Sequence, residues 1–170
     1  MFVATFMKSG TSWMMQIASQ IAWRGAAEFE HVSDVIPWPD SPGAGFISLD
    51  DPRSWEGSPT ELRVIKTHCR SKHVPLDPKA RYIVVLRDPK EVLVSSYFFA
   101  LPLLGLADTI SPQTWMQLMA ADAPSNGWLE HALGWWALRD EPNVLVLFYG
   151  EMKRDPDTAI QQVADLMGSA

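Results

Sequence analysis

The first thirteen residues place a buried strand, a turn of small residues and an amphipathic helix in immediate succession. Residues Phe2–Phe6 are apolar and predict a buried strand, and Lys8-Ser9-Gly10-Thr11 predicts a turn. From Ser12 onward the apolar residues recur with helical spacing. A turn of this kind exposes several backbone N–H groups at the start of a helix, and this predicts an anion-binding loop.

The spacing of this loop differs from that of the phosphate-binding loop of P-loop kinases. Gly10 follows Lys8, so the pattern G-x-x-x-x-G-K-[ST] is absent. Taken alone, the loop is equally compatible with an ordinary helix N-terminus beside a solvated lysine.

The rest of the chain alternates short apolar segments with amphipathic ones. Strands are predicted at residues 64–67, 82–86 and 144–149, and helices at residues 90–100, 112–121, 128–139 and 156–167. The alternation predicts an α/β fold with a central parallel sheet. A chain of 170 residues is expected to form one domain. Residues 28–60 contain five of the thirteen prolines and predict a long binding loop or lid.

Charge is distributed unevenly along the chain. The net charge is −6, but residues 63–90 carry eight Lys or Arg against two Asp. A short basic segment in an acidic chain favours a small anionic ligand and argues against a nucleic-acid partner. The single cysteine, Cys69, excludes an internal disulfide and a cysteine-based zinc site, and no metal site is predicted. No signal peptide or bilayer-spanning segment is visible, so we expect a cytoplasmic protein without a membrane partner.

Two further groups of polar residues stand at the ends of predicted strands, where open α/β sheets bind ligands. Arg87 ends one strand and Ser95 lies in the following helix, and such a pair suits a phosphate. The alternative is a surface pair between Arg87 and Asp88, with the serine bonded to its own backbone. Lys66-Thr67-His68 ends another strand and suits a general base with an electrostatic partner, although a lone histidine is more often structural.

In this order, the motifs resemble those of the cytosolic-type sulfotransferases that use 3′-phosphoadenosine-5′-phosphosulfate. FMKSGTSW at residues 6–13 is similar to the family's 5′-phosphosulfate loop, residues 87–95 to its 3′-phosphate signature, and KTH at residues 66–68 to its catalytic strand. Residues 127–136 and 146–153 are similar to two further family motifs. Met7 stands where the family has proline, which restricts the backbone more, so we expect a modest loss of donor affinity.

The resemblance implies a three-layer α/β/α fold related to the P-loop NTPases. It also implies transfer of a sulfuryl group, without a metal ion, to a hydroxyl or amine of a small, hydrophobic acceptor. The products would be the sulfated acceptor and adenosine-3′,5′-bisphosphate. As in phosphoryl transfer, catalysis would rest on positioning and electrostatics.

The resemblance also implies roles for individual residues. The catalytic residues would be His68 as general base, with Lys8 and Lys66 stabilising negative charge. The donor would be bound by a larger set, which comprises Lys8, Ser9, Gly10, Thr11, Ser12, Trp13, Arg87, Ser95 and Tyr149. Aromatic residues of the long loop and of the 3′-phosphate helix are candidates for the acceptor pocket: Trp38, Phe46, Phe98 and Phe99. The other tryptophans with helical spacing are expected in the core, at positions 23, 115, 128, 135 and 136.

The family continues beyond the position of Gly168 into a segment with further contacts to the 3′-phosphate and adenine and with a dimerisation motif. We therefore expect a single sulfotransferase domain over residues 1–170 that lacks this segment, as a fragment, a shortened product or a chain completed by another. Homo-oligomerisation is left open. The alternatives are a catalytically impaired nucleotide-binding remnant and a P-loop kinase of a small metabolite.

Overall fold

The structure, a computed structural model, describes residues 1–41, 43, 46–106, 108–121 and 127–168. Four strands form one sheet in the order β2-β1-β3-β4, and every pairing is parallel. Ala4 in the central strand lies opposite Thr67 on one side and Val84 on the other. The strands are β1 (Phe2–Thr5), β2 (Ile65–Thr67), β3 (Tyr82–Leu86) and β4 (Val144–Phe148). The predicted parallel sheet is confirmed.

The helices begin at the residues that the sequence marks for them. Asp88 accepts a hydrogen bond from the N–H of Lys90 at 2.8 Å, and a proline follows it in the first helical position. Asp155 repeats this arrangement with Thr158 at 3.1 Å. The helices are α1 (Thr11–Ala22), α2 (Pro89–Leu103), α3 (Pro112–Ala121), α4 (Trp128–Trp136), α5 (Tyr149–Arg154) and α6 (Pro156–Met167).

Several element boundaries differ from the sequence prediction by one to three residues. α2 continues past residue 100 to Leu103, because Pro102 falls in the last turn, where the break that proline causes coincides with the helix end. α4 ends at Trp136 rather than at residue 139. Tyr149, predicted as the end of a strand, is instead the first residue of α5.

Helices cover both faces of the sheet and make three layers. On one face Val3 and Val85 pack against α1, α5 and α6. On the other face Ala4 and Val84 pack against Trp135 of α4. Strand side chains alternate between the two faces, and each set therefore has its own core.

The five tryptophans predicted for the core differ in how deeply they are buried. Trp135 is fully buried, and its indole N–H donates to the carbonyl of Cys69 at 3.1 Å. Its neighbour Trp136 is 40% exposed, and the other three are half-buried. Consecutive residues of a helix point about 100° apart, so α4 can aim only one of the pair at the sheet.

The chain order of the strands creates a crevice at one edge of the sheet. From β1 the chain moves to β2 on one side, whereas from β3 it moves to β4 on the other. Right-handed crossovers in opposite directions pass over opposite faces. The carboxyl ends of β1 and β3 therefore border a switch point, where open α/β sheets bind ligands.

The predicted long loop has little regular structure in its described part. It contains two single 3₁₀ turns, Val32–Asp34 and Pro52–Ser54, and residues 42, 44 and 45 lie outside the described residues. The carbonyl of Pro37 accepts a hydrogen bond from the N–H of Lys66 at 2.9 Å, so the loop runs alongside β2. Within the described ranges, no helix is long and apolar enough to cross a membrane.

Candidate functional site

The loop after β1 has the backbone geometry of an anion site. Lys8 and Gly10 both have positive φ, at 63° and 95°, and Gly10 is the N-cap of α1 without a side-chain cap. Ser9 is fully buried, and its Oγ has no hydrogen-bond partner among the described residues. A buried hydroxyl without a partner costs free energy. An anion at this helix N-terminus would accept its hydrogen bond.

Gly10 faces the ring of Tyr149 at the end of β4. A Cβ at Gly10 would lie 2.7 Å from Cδ2 of Tyr149, so no other residue fits there without moving the ring. Trp13 meets the same ring edge-on, with centroids 6.0 Å apart. The two residues predicted to contact adenine are therefore adjacent, and both border the anion loop.

Arg87 connects the end of β3 to this loop. Its Nη1 donates to the carbonyl of Lys8 at 2.7 Å, and its Nε donates to Glu91 at 3.0 Å. The guanidinium also stacks on Tyr149, with Cζ 4.2 Å from the ring centroid. Asp88, the alternative partner, caps α2 instead.

The remaining predicted donor-binding side chains lie on the two helices that flank the crevice. Thr11 Oγ1 hydrogen-bonds to Thr5 Oγ1 at 2.6 Å, while Ser12 is exposed in the first turn of α1. Ser95 is half-buried on α2.

His68 follows β2 and is fixed by two hydrogen bonds. Its Nδ1 lies 2.7 Å from the carbonyl oxygen of Thr5. A carbonyl only accepts, so Nδ1 carries the hydrogen and Nε2 keeps its lone pair. The backbone N–H of His68 donates to Asp40 Oδ2 at 2.8 Å.

The environment of His68 lowers its pKa below the ordinary value, mainly because burial disfavours the imidazolium. The Thr5 carbonyl opposes this shift, Lys66 reinforces it, and Asp40 opposes it as well. A neutral imidazole with a free Nε2 is the form that a general base requires.

The two lysines both rest on aromatic rings. The Nζ of Lys66 lies 3.4 Å from the ring centroid of Trp38, and the Nζ of Lys8 lies 3.7 Å from that of Phe99. Burial lowers the pKa of each ammonium, Arg87 reinforces the shift at Lys8, and Asp40 opposes it at Lys66.

The structure brings three of the four predicted acceptor residues to the predicted catalytic groups. Trp38 meets the ring of His68 edge-on at 5.1 Å between centroids, and Phe46 meets Trp38 at 4.8 Å. Phe99 lies under Lys8. Phe98 is 71% exposed and contacts Tyr97.

A cavity of about 310 Å³ opens beside His68. It is lined by Phe6, Met7, His68, Cys69, Arg70, His73, Gly127 and His131. His131 is buried, and its pKa falls to about 4 because of burial first and then the proximity of His68 and Arg70. A second cavity of about 460 Å³ lies between α1 and α6 and shares only Trp13 with the predicted site.

Sequence reasoning assigned no role to Asp40, Arg70 or His131. His131 falls within the motif at residues 127–136, which was a usable signal. Asp40 lies in the proline-rich loop, where no periodicity marks it, and Arg70 is one of eight basic residues in its segment. Among the described residues, no group of three or more His, Cys, Asp or Glu side chains could hold a metal ion.

Comparison with known proteins links this architecture to one family. The model of the sulfotransferase domain matches residues 1–170. Sulfotransferase 2A2 of Rattus norvegicus is 30% identical over 172 residues, which cover 99% of this chain and 59% of that protein. The chain thus spans about three fifths of the length of this relative.

Two solved structures have the same fold. A retinol dehydratase in complex with retinol and PAP superposes with a TM-score of 0.73 at 24% identity, over 98% of this chain and 59% of that one. The mouse sulfotransferase SULT7A1 complexed with PAP gives a TM-score of 0.68 at 24% identity, over 99% and 57%.

Proposed function

The chain belongs to the sulfotransferase family, and from this premise we propose that it transfers a sulfuryl group from 3′-phosphoadenosine-5′-phosphosulfate to a small acceptor. One observation carries the proposal. The carbonyl of Thr5 holds His68, and the carbonyl of Lys8, three residues later, holds Arg87. The candidate base is thus anchored to the last residue of β1, and the candidate 3′-phosphate ligand to the loop that directly follows it.

The donor-side residues fit an anionic nucleotide. Ser9 offers a buried hydroxyl that lacks a partner among the described residues, next to the uncapped start of α1. We assign the 5′-phosphate to the loop of Ser9, Gly10, Thr11 and Ser12. When bound, the donor supplies an activated sulfuryl group together with a nucleotide leaving group.

The other donor contacts are proposed from the family resemblance. Arg87 and Ser95 would hold the 3′-phosphate, for which a guanidinium is well suited. Trp13 and Tyr149 would contact the adenine. The two similar structures contain PAP, the expected product, and this supports the choice of donor.

His68 and the two lysines would carry out proton transfer and stabilise negative charge. His68 takes the proton of the acceptor hydroxyl or amine at Nε2, while the Nδ1–H bond to Thr5 stabilises the imidazolium that forms. Lys66 and Lys8 supply positive charge to the transferring group and to the leaving oxygen. A cation–π contact contributes only about 0.5–2 kcal/mol, so each ammonium can leave its ring for an anionic oxygen.

The acceptor is expected to be small and largely apolar in the part that approaches His68. Trp38, Phe46 and Phe99 surround the catalytic groups, and aromatic lining of this kind is typical of pockets for hydrophobic molecules. The similar retinol dehydratase was solved with retinol, an alcohol of that class.

The first experiment measures ligand-induced thermal stabilisation by adenosine-3′,5′-bisphosphate and by ATP without Mg²⁺. We expect stabilisation by the bisphosphate alone. A preference for ATP would favour the kinase alternative, and stabilisation by the bisphosphate without sulfuryl transfer would favour the impaired nucleotide-binding remnant.

The second experiment separates catalysis from binding. We expect His68→Ala to lower sulfate transfer from labelled donor to a phenol panel by about 10²-fold or more, with bisphosphate binding retained. Arg87→Ala should weaken bisphosphate binding first. His31→Asn is the matched control, because His31 is an exposed histidine whose ring only caps a 3₁₀ turn. Undiminished transfer by His68→Ala would contradict the base assignment.

A further inference from the structure

The cavity beside His68 is lined by basic side chains and by no acidic ones. Its titratable lining residues are Arg70, three histidines and Cys69, and none of the eight lining residues carries a carboxylate. Burial raises the pKa of the Cys69 thiol, which therefore stays neutral. Arg70 is the only lysine or arginine among the lining residues.

Arg70 lines the same cavity as the candidate base. It is two positions after His68 in the sequence, and its φ of −62° and ψ of 150° are those of a polyproline-II-like backbone. A small acceptor could therefore reach both residues at once.

Gly127 allows the guanidinium to lie along the cavity wall. A Cβ at this position would lie 2.6 Å from Nη2 and 3.1 Å from Nε of Arg70. Gly127 is also the N-cap of α4, and it has no side-chain cap hydrogen bond. The positive end of this helix therefore adds to the potential of the arginine.

Glu130 neutralises this charge only in part. Its Oε2 lies 2.5 Å from Nη1 of Arg70 and 3.9 Å from the Nζ of Lys72, so one carboxylate is shared by two cations. Glu130 is more than half exposed, and ion pairs at exposed positions are weak. Burial is the main reason for the lowered pKa of His131, and Arg70 contributes to it after His68.

We propose that Arg70 binds an anionic group of the acceptor, so that the preferred acceptors are phenols or alcohols bearing a carboxylate remote from the reacting hydroxyl. Guanidinium and carboxylate form charge-assisted, often bidentate hydrogen bonds. The same charge disfavours an acceptor that carries an ammonium group. This inference rests on the proposed function and names the acceptor class of that site.

The test compares three phenols that differ in their para substituent: 4-hydroxyphenylacetate, 4-ethylphenol and tyramine. The readout is the ratio of kcat/KM values, from which a general change in activity cancels. We expect the carboxylate to exceed the ammonium compound by about tenfold or more, with the neutral phenol between them. A ratio at or below one would overturn the inference while leaving sulfuryl transfer itself intact.

Removing the positive or the negative charge of the ion pair should change the ratio of kcat/KM values in opposite directions. Arg70→Gln should lower the ratio of carboxylate to neutral phenol by about five- to tenfold, and Glu130→Gln should raise it. Lys79→Gln is the matched control, since this exposed lysine precedes β3 at the opposite edge of the sheet. If Arg70→Gln fails to fold, Glu130→Gln decides, and an unchanged or lower ratio there contradicts the proposal.

Equilibrium binding of the same phenols keeps the inference testable without turnover. If no phenol is sulfated, the proposed function fails, and the ranking of dissociation constants for the wild-type chain then tests the charge preference separately. Tighter binding of tyramine than of 4-hydroxyphenylacetate would refute the role of Arg70.

Discussion

Replacing Gly10 by alanine should disturb the donor site far more than the same change at another left-handed glycine. Gly10 has φ 95°, and an added Cβ would lie 2.7 Å and 2.9 Å from two ring carbons of Tyr149. Gly25 has a similar φ of 84°, and nothing lies within 4 Å of an added Cβ. Gly25→Ala therefore measures only the free energy that alanine loses by adopting a left-handed backbone.

The magnitudes follow from these two geometries. A left-handed backbone costs an alanine about 1–2 kcal/mol, and both variants carry this cost. Overpacking against Tyr149 adds about 1–3 kcal/mol for Gly10→Ala only. In a chain of this length 1 kcal/mol corresponds to about 2–4 °C in Tm, so thermal unfolding should place Gly10→Ala several degrees below Gly25→Ala.

Ligand binding provides the sharper distinction. Tyr149 supports the guanidinium of Arg87 at 4.2 Å, so a displaced ring withdraws support from the candidate 3′-phosphate ligand. We expect the Kd for adenosine-3′,5′-bisphosphate to rise about tenfold or more in Gly10→Ala, equivalent to about 1.4 kcal/mol, and to stay unchanged in Gly25→Ala. Calorimetric titration measures both values.

A double-mutant cycle with Tyr149→Ala tests the cause. If the ring is the obstacle, the unfolding free energies of the two substitutions are non-additive, because Tyr149→Ala removes the atoms that the new Cβ would meet. Strict additivity, or equal losses in Gly10→Ala and Gly25→Ala, would refute the steric reasoning.

Three further outcomes follow from the titrating groups. Burial lowers the pKa of His68, and the neutral ring is the form that acts as base in the proposed mechanism. We therefore expect kcat/KM to decline on acidification only below the ordinary histidine pKa of about 6.5, as a pH–rate profile would show. Asp40→Asn removes a charge that raises the pKa of His68, so the acidic limb of the pH–rate profile should move to still lower pH. Asp50→Asn, at an exposed position, should leave the limb in place. A shift of the limb to higher pH in Asp40→Asn would contradict the assignment of His68 as the base. His131 has a pKa of about 4 in the folded state, below its unfolded value of about 6.5, so the unfolded state binds more protons between these values. The free energy of unfolding should therefore decrease as the pH drops from about 6.5 to about 4, by about 3 kcal/mol at most. Denaturant unfolding should show a flatter pH dependence for His131→Asn than for the wild-type chain.

Local patterns were sufficient to predict the strands and most of the helices. Asp88 and Asp155, each followed by proline, mark the starts of α2 and α6 because capping and a preset φ act within one turn. The exposure of Trp136 was missed, because periodicity identifies an apolar stretch but not which of two adjacent rings meets the sheet.

The parts of the candidate site that are contiguous in sequence were predicted, whereas the residues that tertiary packing brings to it were not. The anion loop and the KTH strand are contiguous in sequence, so their patterns were visible. Asp40 reaches His68 from a loop without regular structure, and Arg70 acquires its setting from Gly127 and Glu130 on α4. Such contacts depend on tertiary packing, which no sequence window contains.

The position of β1 between β2 and β3 has a consequence for how the chain folds. The bond from Thr5 to His68 crosses to the segment after β2, and the bond from Arg87 to Lys8 crosses from the segment after β3. Each half of the candidate site needs β1 to pair on one side, and the complete site needs β1 paired on both sides. Local opening of the edge strand β2, of a kind that many proteins tolerate, would here release His68 from the site, so the integrity of the site and the cooperative folding of the sheet coincide in this chain.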